Sequence, residues 1–360
     1  MSRSHKHITI QDVARAAGVS VSTVSRVLNG KTDVAPSTCE RVQAVIAELG
    51  YTSSLAARSM RSRRTGVIGL IMPNLEDPFC IEVLKGVNHA VFDLHYDLIA
   101  YTSGAMNGHS KASRDQHYVS LLNGSLTDGV IVVTPSTADF ATSAPIVAID
   151  PNSASARYPK VIAANQAGAR KATEYLIRLG HRRIGFIGGR EDLQSARQRL
   201  DGYEHALRQA GIARDPSLIE TGDYSVESGH ACARRLLLLP RRPTAIFAAN
   251  DQSAFGAIEA AHVAGLSVPG DLSVIGFDNI PEAATYKPAL TTMDQFIARM
   301  GYVATEMLIR RVQGVRLESE WYEMATQLVV RDSCGAVAEG TPGMGAPALA
   351  DWTQAEAERR

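Results

Sequence analysis

This sequence of 360 residues has few cysteines, no long apolar run and a net charge of zero. Its four cysteines lie far apart without metal-ligand spacing, which argues against a disulfide-rich secreted module and gives no sign of a metal site. No stretch approaches the roughly 20 apolar residues that a membrane span needs. The opening residues MSRSHKHITIQ contain no apolar signal core, so we expect a cytoplasmic protein that does not contact a membrane.

Signatures of enzymes that bind nucleotides or hydrolyse esters are absent as well. The glycines of GFIGGR (185–190) do not form G-x-G-x-x-G. The sequence also contains no G-x-x-x-x-G-K-[ST] and no G-x-S-x-G turn. We therefore predict a protein that is not an enzyme and that uses no cofactor.

The net charge of zero conceals an uneven distribution of charge. Residues 1–64 contain ten lysines and arginines against four acidic residues, whereas the remainder contains 27 against 33. A basic first segment on an acidic remainder confines phosphate affinity to one end of the chain. Basic tails are common, so this pattern supports a nucleic-acid partner only together with a suitable local fold.

The stretch from Thr9 to Asn29 predicts two short helices joined by a turn. Thr9 and Asp12 form a capping pair at the start of the first helix. Gly18 is placed for the turn, and Ser20 is placed to cap the second helix. Four apolar residues at i, i+3, i+4 and i+7 form the buried stripe of the first helix: Ile10, Val13, Ala14 and Ala17.

The second predicted helix has an apolar and a polar face. The inward residues are expected to be Val21, Val24 and Leu28. The opposite face presents side chains that hydrogen-bond base edges or phosphates in a major groove, namely Ser22, Arg26 and Asn29. An ordinary helical hairpin with a solvated face is the alternative. The whole constellation, within the basic segment, favours a helix-turn-helix DNA reader.

The run DVARAAGVSVSTVSRVLNGKTDVAPSTCERVQAVIAELGY (12–51) resembles the DNA-binding headpiece of the lactose/galactose repressor family of bacterial transcription regulators. The resemblance continues to about residue 333. It implies a homodimeric regulator that binds a near-palindromic operator in double-stranded DNA, with Val21, Ser22 and Arg26 as the main base-reading residues. The full set of expected DNA contacts is Thr9, Val21, Ser22, Thr23, Arg26, Asn29, Arg58, Met60 and Arg61.

A third helix is expected after Pro36, with Gly50 as its stop. Its N-cap is Ala35, where the family usually has serine, so the cap is expected to be weak. Its apolar stripe comprises Val42, Val45, Ile46 and Leu49.

In the segment that follows, residues 53–65, the helix-forming core from Leu55 to Arg61 is too short to be stable alone, since isolated helices below about 12 residues are marginal in water. Taken by itself it is a basic linker. The resemblance implies a second state, a hinge helix that orders on operator DNA and pairs with its symmetry mate. In that state Met60 is the apolar wedge in the minor groove, and Arg58 and Arg61 contact the backbone or the groove floor.

From Gly66 onward, short apolar runs alternate with helical periodicity, which predicts two doubly wound parallel-sheet lobes. The expected strands are 66–72, 96–101, 128–134, 145–149, 160–164, 183–189, 218–222, 244–249 and 272–277. The expected helices are near 78–94, 111–123, 167–179, 194–210, 226–239 and 251–264. A helix near 295–313 and a strand near 321–330 would tie the two lobes together. The fold class is thus α/β behind an all-α headpiece.

Two such lobes with a cleft between them resemble the periplasmic sugar-binding fold. Ligands of open α/β sheets bind beyond the carboxyl ends of the strands, where this chain carries polar residues. Amide and carboxylate acceptors, a guanidinium donor and an aromatic face suit a polyhydroxylated neutral ligand. Pro151 stands where sugar-binding members usually carry arginine, so a disaccharide or another glycoside is also possible. The expected ligand contacts are Asp77, Phe79, Asp150, Arg199, Asn250, Asp278 and Gln295.

These patterns predict four segments: a helix-turn-helix domain (1–52), a hinge (53–65), an effector-binding and dimerisation body (66–333) and a flexible tail (334–360). Within the body, the first lobe is expected to comprise about 66–164 and 292–320, and the second about 165–291 and 321–333. The predicted function is a transcription repressor controlled by a small sugar or glycoside. A solute-binding receptor for transport is the alternative, which the headpiece and the lack of an export signal disfavour.

Overall fold

A computed structural model describes residues 8–28, 33–50, 64–104, 110–123, 126–153 and 155–337. The chain divides into two compact units, which meet in sequence at Thr65 and Gly66. We call the first unit the headpiece and the second the body. Among the described residues, no helix is long and apolar enough to cross a lipid bilayer.

The headpiece is built from three helices, α1 (Ile10–Ala17), α2 (Val21–Leu28) and α3 (Pro36–Leu49). The capping box at the start of α1 is present, because Thr9 accepts from the Asp12 N–H and Asp12 accepts from the Thr9 N–H. Six apolar residues form the buried core: Val13, Ala14, Ala17, Val24, Val27 and Val42. The predicted helix pair is therefore confirmed.

The inward face of α2 differs from the expectation at one position. Leu28 is 37% exposed, and Val27 is buried in its place beside Val24, while Val21 is half-buried. Positions i+3 and i+4 are both neighbours of Val24 on the helix surface. The apolar pattern allowed either residue to face inward, and packing against the other helices selects Val27.

Helix α3 begins at Pro36 without a side-chain cap, as the alanine at position 35 predicted. It ends at Gly50, whose φ of 62° lies in the left-handed region that favours glycine. Residues 51–63, which include most of the expected hinge, lie outside the described residues.

The first lobe of the body contains a six-stranded sheet in which every neighbouring pair is parallel. The strand order is β11-β5-β4-β3-β1-β2. These strands are β1 (Val67–Met72), β2 (Asp97–Thr102), β3 (Gly129–Val133), β4 (Ile146–Ile149), β5 (Lys160–Ala163) and β11 (Trp321–Met324). The helices α4 (Pro78–Asp93), α5 (Lys111–Leu122) and α11 (Ile297–Val312) pack on this sheet.

The second lobe contains a second six-stranded sheet, parallel except for its edge strand β12. The order is β12-β10-β9-β8-β6-β7. The strands are β6 (Ile184–Gly188), β7 (Ile219–Thr221), β8 (Ala245–Ala248), β9 (Ser273–Asp278), β10 (Thr291–Asp294) and β12 (Gln327–Val329). The helices are α6 (Asn165–Arg178), α7 (Gln194–Gln209), α8 (Val226–Leu237), α9 (Asp251–Val263) and the short α10 (Glu282–Thr285).

The chain crosses between the lobes three times, and the last two crossings lie a few residues later than expected. Strand β10 belongs to the second sheet, although the sequence analysis placed residues from 292 onward in the first lobe. Strand β11 belongs to the first sheet, although residues from 321 onward were assigned to the second. The expected single strand near 321–330 is in fact two short strands in different sheets, which no apolar pattern in that segment indicates.

Helix α11 lies close against α4 of the first lobe. An added Cβ at Gly86 would lie 1.7 Å from the carbonyl oxygen of Ala298, and one at Gly301 would lie 2.4 Å from that of Val83. Glycines on both helices therefore allow this close backbone approach. The contact fixes α11 to the first lobe although β10, just before it, belongs to the second.

The packed body continues beyond residue 333, where the flexible tail was expected to begin. The Val337 N–H donates to the Leu179 carbonyl at 3.0 Å. The buried His181 ring bonds through Nε2 to the Gly335 carbonyl at 3.1 Å. Residues 334–337 are thus part of the second lobe, and the rest of the expected tail lies outside the described residues.

Candidate functional site

The polar face of α2 is the candidate DNA-reading surface. Ser22 and Arg26 are exposed, as expected, and Thr23 is half-buried. The Ser20 hydroxyl accepts from the Thr23 N–H at 3.1 Å and lies 2.7 Å from the Ser22 hydroxyl. The first turn of α2 is thereby fixed, and the Ser22 side chain is held beside its cap.

Arg26 and Thr9 each already have a partner inside the headpiece. The Arg26 guanidinium lies 3.5 Å from the Asp33 carboxylate, and both side chains are more than half exposed. The Thr9 hydroxyl is 2.7 Å from Asp12. An exposed ion pair contributes little free energy, so Arg26 is available to a stronger anionic or base-edge partner. The other expected DNA contacts, Asn29, Arg58, Met60 and Arg61, lie outside the described residues.

The body contains a cavity of about 90 Å³, open to solvent, in the cleft between its two lobes. All seven residues expected to contact ligand line it. They come from the carboxyl ends of strands in both sheets, as the topology of open α/β sheets predicts. Four further residues, which were not among the predicted contacts, also line the cavity: Thr134, Leu193, Ser195 and Tyr224.

Arg199, on α7, is the centre of the second-lobe wall. Its side chain is 5% exposed, and its guanidinium carbon lies 3.9 Å from the centre of the Phe277 ring. Its Nε donates to Asn165 Oδ1 at 2.9 Å, and its Nη1 donates to the Ala249 carbonyl. The stacked Phe277 ring and these hydrogen bonds fix the Arg199 guanidinium group in one orientation.

Asp278 faces Arg199 from the end of β9. Its Oδ1 lies 3.5 Å from Arg199 Nη1 and accepts from Gln295 Nε2 at 2.5 Å. Burial raises the pKa of Asp278 to about 7, against the opposing effect of Arg199 and with a further contribution from Asp77 and Asp150. The carboxyl therefore changes its charge near neutral pH.

Asp150 follows β4 of the first lobe but interacts with the second. Burial raises its pKa, and Arg199 and the Ser195 hydroxyl oppose this rise by stabilising the carboxylate. Asp150 therefore interacts electrostatically with Arg199 on the opposite wall.

Several lining residues have backbone conformations that non-glycine residues rarely adopt. Positive φ values occur at Thr134 (47°), Asp150 (48°), Tyr224 (77°) and Asp278 (120°). Such conformations cost free energy and persist where the surrounding structure enforces them, often at binding sites. In this protein four of them surround one cavity.

Asn250 and Tyr224 form a linked pair in the second-lobe wall. Asn250 caps α9 by accepting from the Ser253 N–H at 2.9 Å, and its Nδ2 donates to the Tyr224 carbonyl at 2.9 Å. The Tyr224 ring lies against Gly189, where an added Cβ would be 2.0 Å from a ring carbon. Burial raises the pKa of Tyr224 to about 12, so its hydroxyl stays protonated at neutral pH and can donate a hydrogen bond.

The start of α4 forms the part of the first-lobe wall that lies beside Thr134 and Asp150 in the cavity lining. Asp77 caps this helix by accepting from the Phe79 N–H at 2.9 Å. Phe79 is half-buried and lines the cavity with its ring. The cavity therefore combines carboxylates and amides, an arginine, a tyrosine hydroxyl and one aromatic ring.

Thr134 and Tyr224 could have been found from the sequence. Thr134 directly follows β3, and Tyr224 follows β7 by three residues, so both obey the strand-end rule that identified the other candidates. Leu193 and Ser195 lie at the start of α7, six and four residues before Arg199. Their inward orientation depends on the loop that precedes this helix, and no sequence pattern indicated it.

Comparison with known proteins gives two family matches. Residues 9–54 match the model described as bacterial regulatory proteins, lacI family. Residues 173–334 match that of a periplasmic binding protein-like domain.

Among curated proteins, the chain is 36% identical over 340 residues to the HTH-type transcriptional repressor PurR of Proteus mirabilis, covering 92% of this chain and 97% of that protein. It is 34% identical over 328 residues to the ribose operon repressor of Halalkalibacterium halodurans, covering 90% and 96%.

Two solved structures extend the comparison. The Lac repressor dimer bound to operator and the anti-inducer ONPF is similar with a TM-score of 0.81 and 28% identity, over 92% of this chain and 100% of that one. The complex of the transcriptional regulator CelR with cellobiose is similar with a TM-score of 0.68 and 31% identity, over 91% and 99%.

Proposed function

Because the chain belongs to the lacI family of bacterial regulatory proteins, we propose that its cavity binds a neutral sugar or glycoside that controls its grip on operator DNA. The protein is a DNA-binding transcriptional repressor with an effector-binding body, not an enzyme. The identity of the ligand class and the roles of individual residues are our inference from the site.

The convergence of seven strand-end residues on one cavity is the observation that carries the ligand proposal. Carboxylates, amides and a fixed guanidinium match the many donors and acceptors of a polyol, and the Phe79 ring matches its apolar face. The similar regulator CelR forms a complex with cellobiose, and another relative is named for the ribose operon. Both relatives support a sugar as the ligand.

We propose further that the protein acts as a homodimer in the cytoplasm, and that α2 reads base edges. The dimeric state of the similar Lac repressor on its operator supports the first point. The exposed Ser22 and Arg26 support the second. In the proposed switch, the two lobes adopt two arrangements, and the ligand binds one of them more tightly than the other. Without this difference in ligand affinity, the ligand could not change operator affinity.

A thermal-shift screen of sugars and glycosides on the full-length protein tests the ligand proposal. A ligand present at 100 times its Kd stabilises the folded protein by about 2.7 kcal/mol. We expect a selective increase in Tm with one group of sugars, and a changed operator affinity in gel shifts with the same compounds. Stabilisation by other metabolites, with no response to any sugar, would refute the proposed ligand class.

Arg26→Ala tests the DNA-reading role of α2. We expect specific binding to fall on the order of 10-fold or more, with a smaller loss of non-specific binding, because a base contact is worth about 1–3 kcal/mol. Arg15→Ala on α1 is the matched control, since Arg15 is also exposed and paired with a nearby aspartate. Equal losses for specific and non-specific DNA would contradict base reading by Arg26.

A further inference from the structure

A second carboxylate lies behind Asp278 and does not line the cavity. Asp251 is the first residue of α9, and its side chain is 0% exposed. The Ile280 N–H donates to its Oδ2 at 3.0 Å, and the Thr292 hydroxyl donates to its Oδ1. Asp251 thus joins the start of one helix to the turn after β9 and to the neighbouring strand β10.

A glycine on strand β9 leaves space for the Asp251 carboxyl group. An added Cβ at Gly276 on β9 would lie 2.3 Å from Asp251 Oδ1, which is closer than any real contact of this kind. The glycine at this buried strand position therefore accommodates a charged side chain where a larger residue would exclude it.

The turn that Asp251 contacts has an unusual backbone. Asp278 and Asn279 are consecutive non-glycine residues with positive φ, 120° and 56°. Such a pair requires bonds that enforce it. Those bonds are present, because Asn279 is held by Asp294 (2.9 Å) and Arg331 (2.7 Å) and the next amide, Ile280, by Asp251.

We infer that Asp251 is a positioning residue for the ligand site, which fixes the 278–280 turn and thereby the place of the Asp278 carboxyl in the cavity. The inference rests on the proposed function in taking this cavity as the ligand site. The Asp251 side chain itself touches no ligand in this scheme. It keeps the Asp278 carboxylate between Arg199 and Gln295.

The surroundings of the two carboxyls differ. Asp278 faces Arg199, Asp77 and Asp150 from three other elements, with Gln295 as a neutral partner. Asp251 faces Asp278 and, with opposite charge, Arg331. Burial raises the pKa of Asp251, and the Asp278 carboxylate raises it further. Asp251 therefore acts on Asp278 through its hydrogen bonds to the turn and to β10.

Two substitutions test the positional effect. In Asp251→Asn, the amide oxygen can accept the Ile280 N–H while the amide nitrogen donates to the Thr292 hydroxyl, so the turn is kept. Asp251→Ala removes both bonds. Asp115→Asn is the matched control, because Asp115 is also a buried carboxylate that accepts a backbone N–H, from Ser136 at 3.0 Å.

Hydrogen exchange of the full-length protein, followed by mass spectrometry without ligand, tests the positional effect. We expect amide exchange in the segment 276–284 to be at least about 10-fold faster in Asp251→Ala than in the wild type and nearly unchanged in Asp251→Asn and Asp115→Asn. Wild-type exchange rates in a folded Asp251→Ala variant would overturn the positional role. The measurement is made without ligand, so its outcome is independent of the sugar screen.

Discussion

The two walls of the cavity differ in how firmly their side chains are held. On the second-lobe wall, Arg199 bonds to Asn165, Ala249 and Asp278, and Asp278 in turn bonds to Gln295. On the first-lobe wall, Asp77 bonds to the backbone of its own helix, and Asp150 interacts across the cleft with Arg199. One wall is therefore a network within its own lobe, whereas the side chains of the other are held locally or by the opposite lobe.

This difference suggests a division of labour between the lobes. A preorganised wall contributes most to affinity, because its groups lose little freedom when the ligand binds. A wall that moves with its lobe can report the presence of the ligand. Substitutions on the second lobe should therefore cause the larger losses, and those on the first lobe smaller ones.

The largest effect is expected for Arg199→Ala. Removal of the guanidinium leaves the buried Asp278 and Asn165 without their partner, so the body should lose about 3 kcal/mol of folding free energy. The ligand response in operator gel shifts should disappear, whereas operator binding without ligand should remain. Thermal unfolding and gel shifts measure the two quantities.

Arg197→Ala is the matched control, because Arg197 is on the same helix but exposed. A normal ligand response in Arg199→Ala would show that the second-lobe network is not the main binding wall.

The next effect is a pH dependence that originates in the same wall. The pKa of Asp278 is raised by burial to about 7 in the folded protein, whereas in the unfolded chain it lies near 3.8. Between these two pH values the folded state binds more protons than the unfolded state, so stability falls as the pH rises. The contribution of Asp278 to the free energy of unfolding is complete below about pH 4 and is lost as the pH rises through 7.

We therefore expect the Tm of the wild type to fall from pH 5 to pH 8 relative to that of Asp278→Asn, measured by differential scanning fluorimetry at each pH. Asp215 gives an internal comparison with the opposite sign. Its pKa is lowered to about 2 by Ser217 and Arg183, so its contribution is lost only at acid pH. Parallel Tm curves for the two proteins from pH 5 to 8 would contradict the raised pKa.

A smaller effect is expected for Phe79→Ala on the first-lobe wall. Loss of a half-buried ring should reduce stability by about 1–2 kcal/mol and weaken ligand binding on the order of 10-fold, measured by calorimetry. The operator affinity without ligand should not change. A loss of affinity as large as that of Arg199→Ala would remove the proposed difference between the walls.

The smallest effect is expected for Asp77→Asn. Asparagine caps a helix about as well as aspartate does, so stability should change by no more than about 0.5 kcal/mol. Ligand affinity should change less than about threefold, as measured by the same calorimetry. A large loss would show that the Asp77 charge takes part in binding.

Single residues show which features of the fold and the site were predictable from the sequence. Asp150, Asn250, Asp278 and Gln295 were predictable because the carboxyl ends of parallel strands meet at one edge of a sheet. Asp77, Phe79 and Arg199 were expected from the family resemblance. Thr9 and Gly18 were predictable because capping chemistry is local. Val27 was missed because two neighbouring helix positions were both apolar.

The remaining features depend on contacts between distant segments. Strand β10 and the division of residues 321–329 between two sheets were missed, because which sheet a short strand joins is decided by its partner strands. The positive φ angles at Asp150 and Asp278 have no sequence signal either, since neither residue is glycine. Asp251 was not among the predicted contacts, because its bond to the amide of residue 280 depends on the tertiary fold.

Gln295 lies at the crossing where strand β10 of the second lobe gives way to helix α11 of the first. The residue after it, Phe296, has a φ of 55°, so the chain bends sharply at this point. A ligand that hydrogen-bonds to Gln295 would therefore contact one of the three segments that join the lobes. If the lobes rotate on ligand binding, a small change in backbone angle at this segment would produce displacements that grow with distance from it.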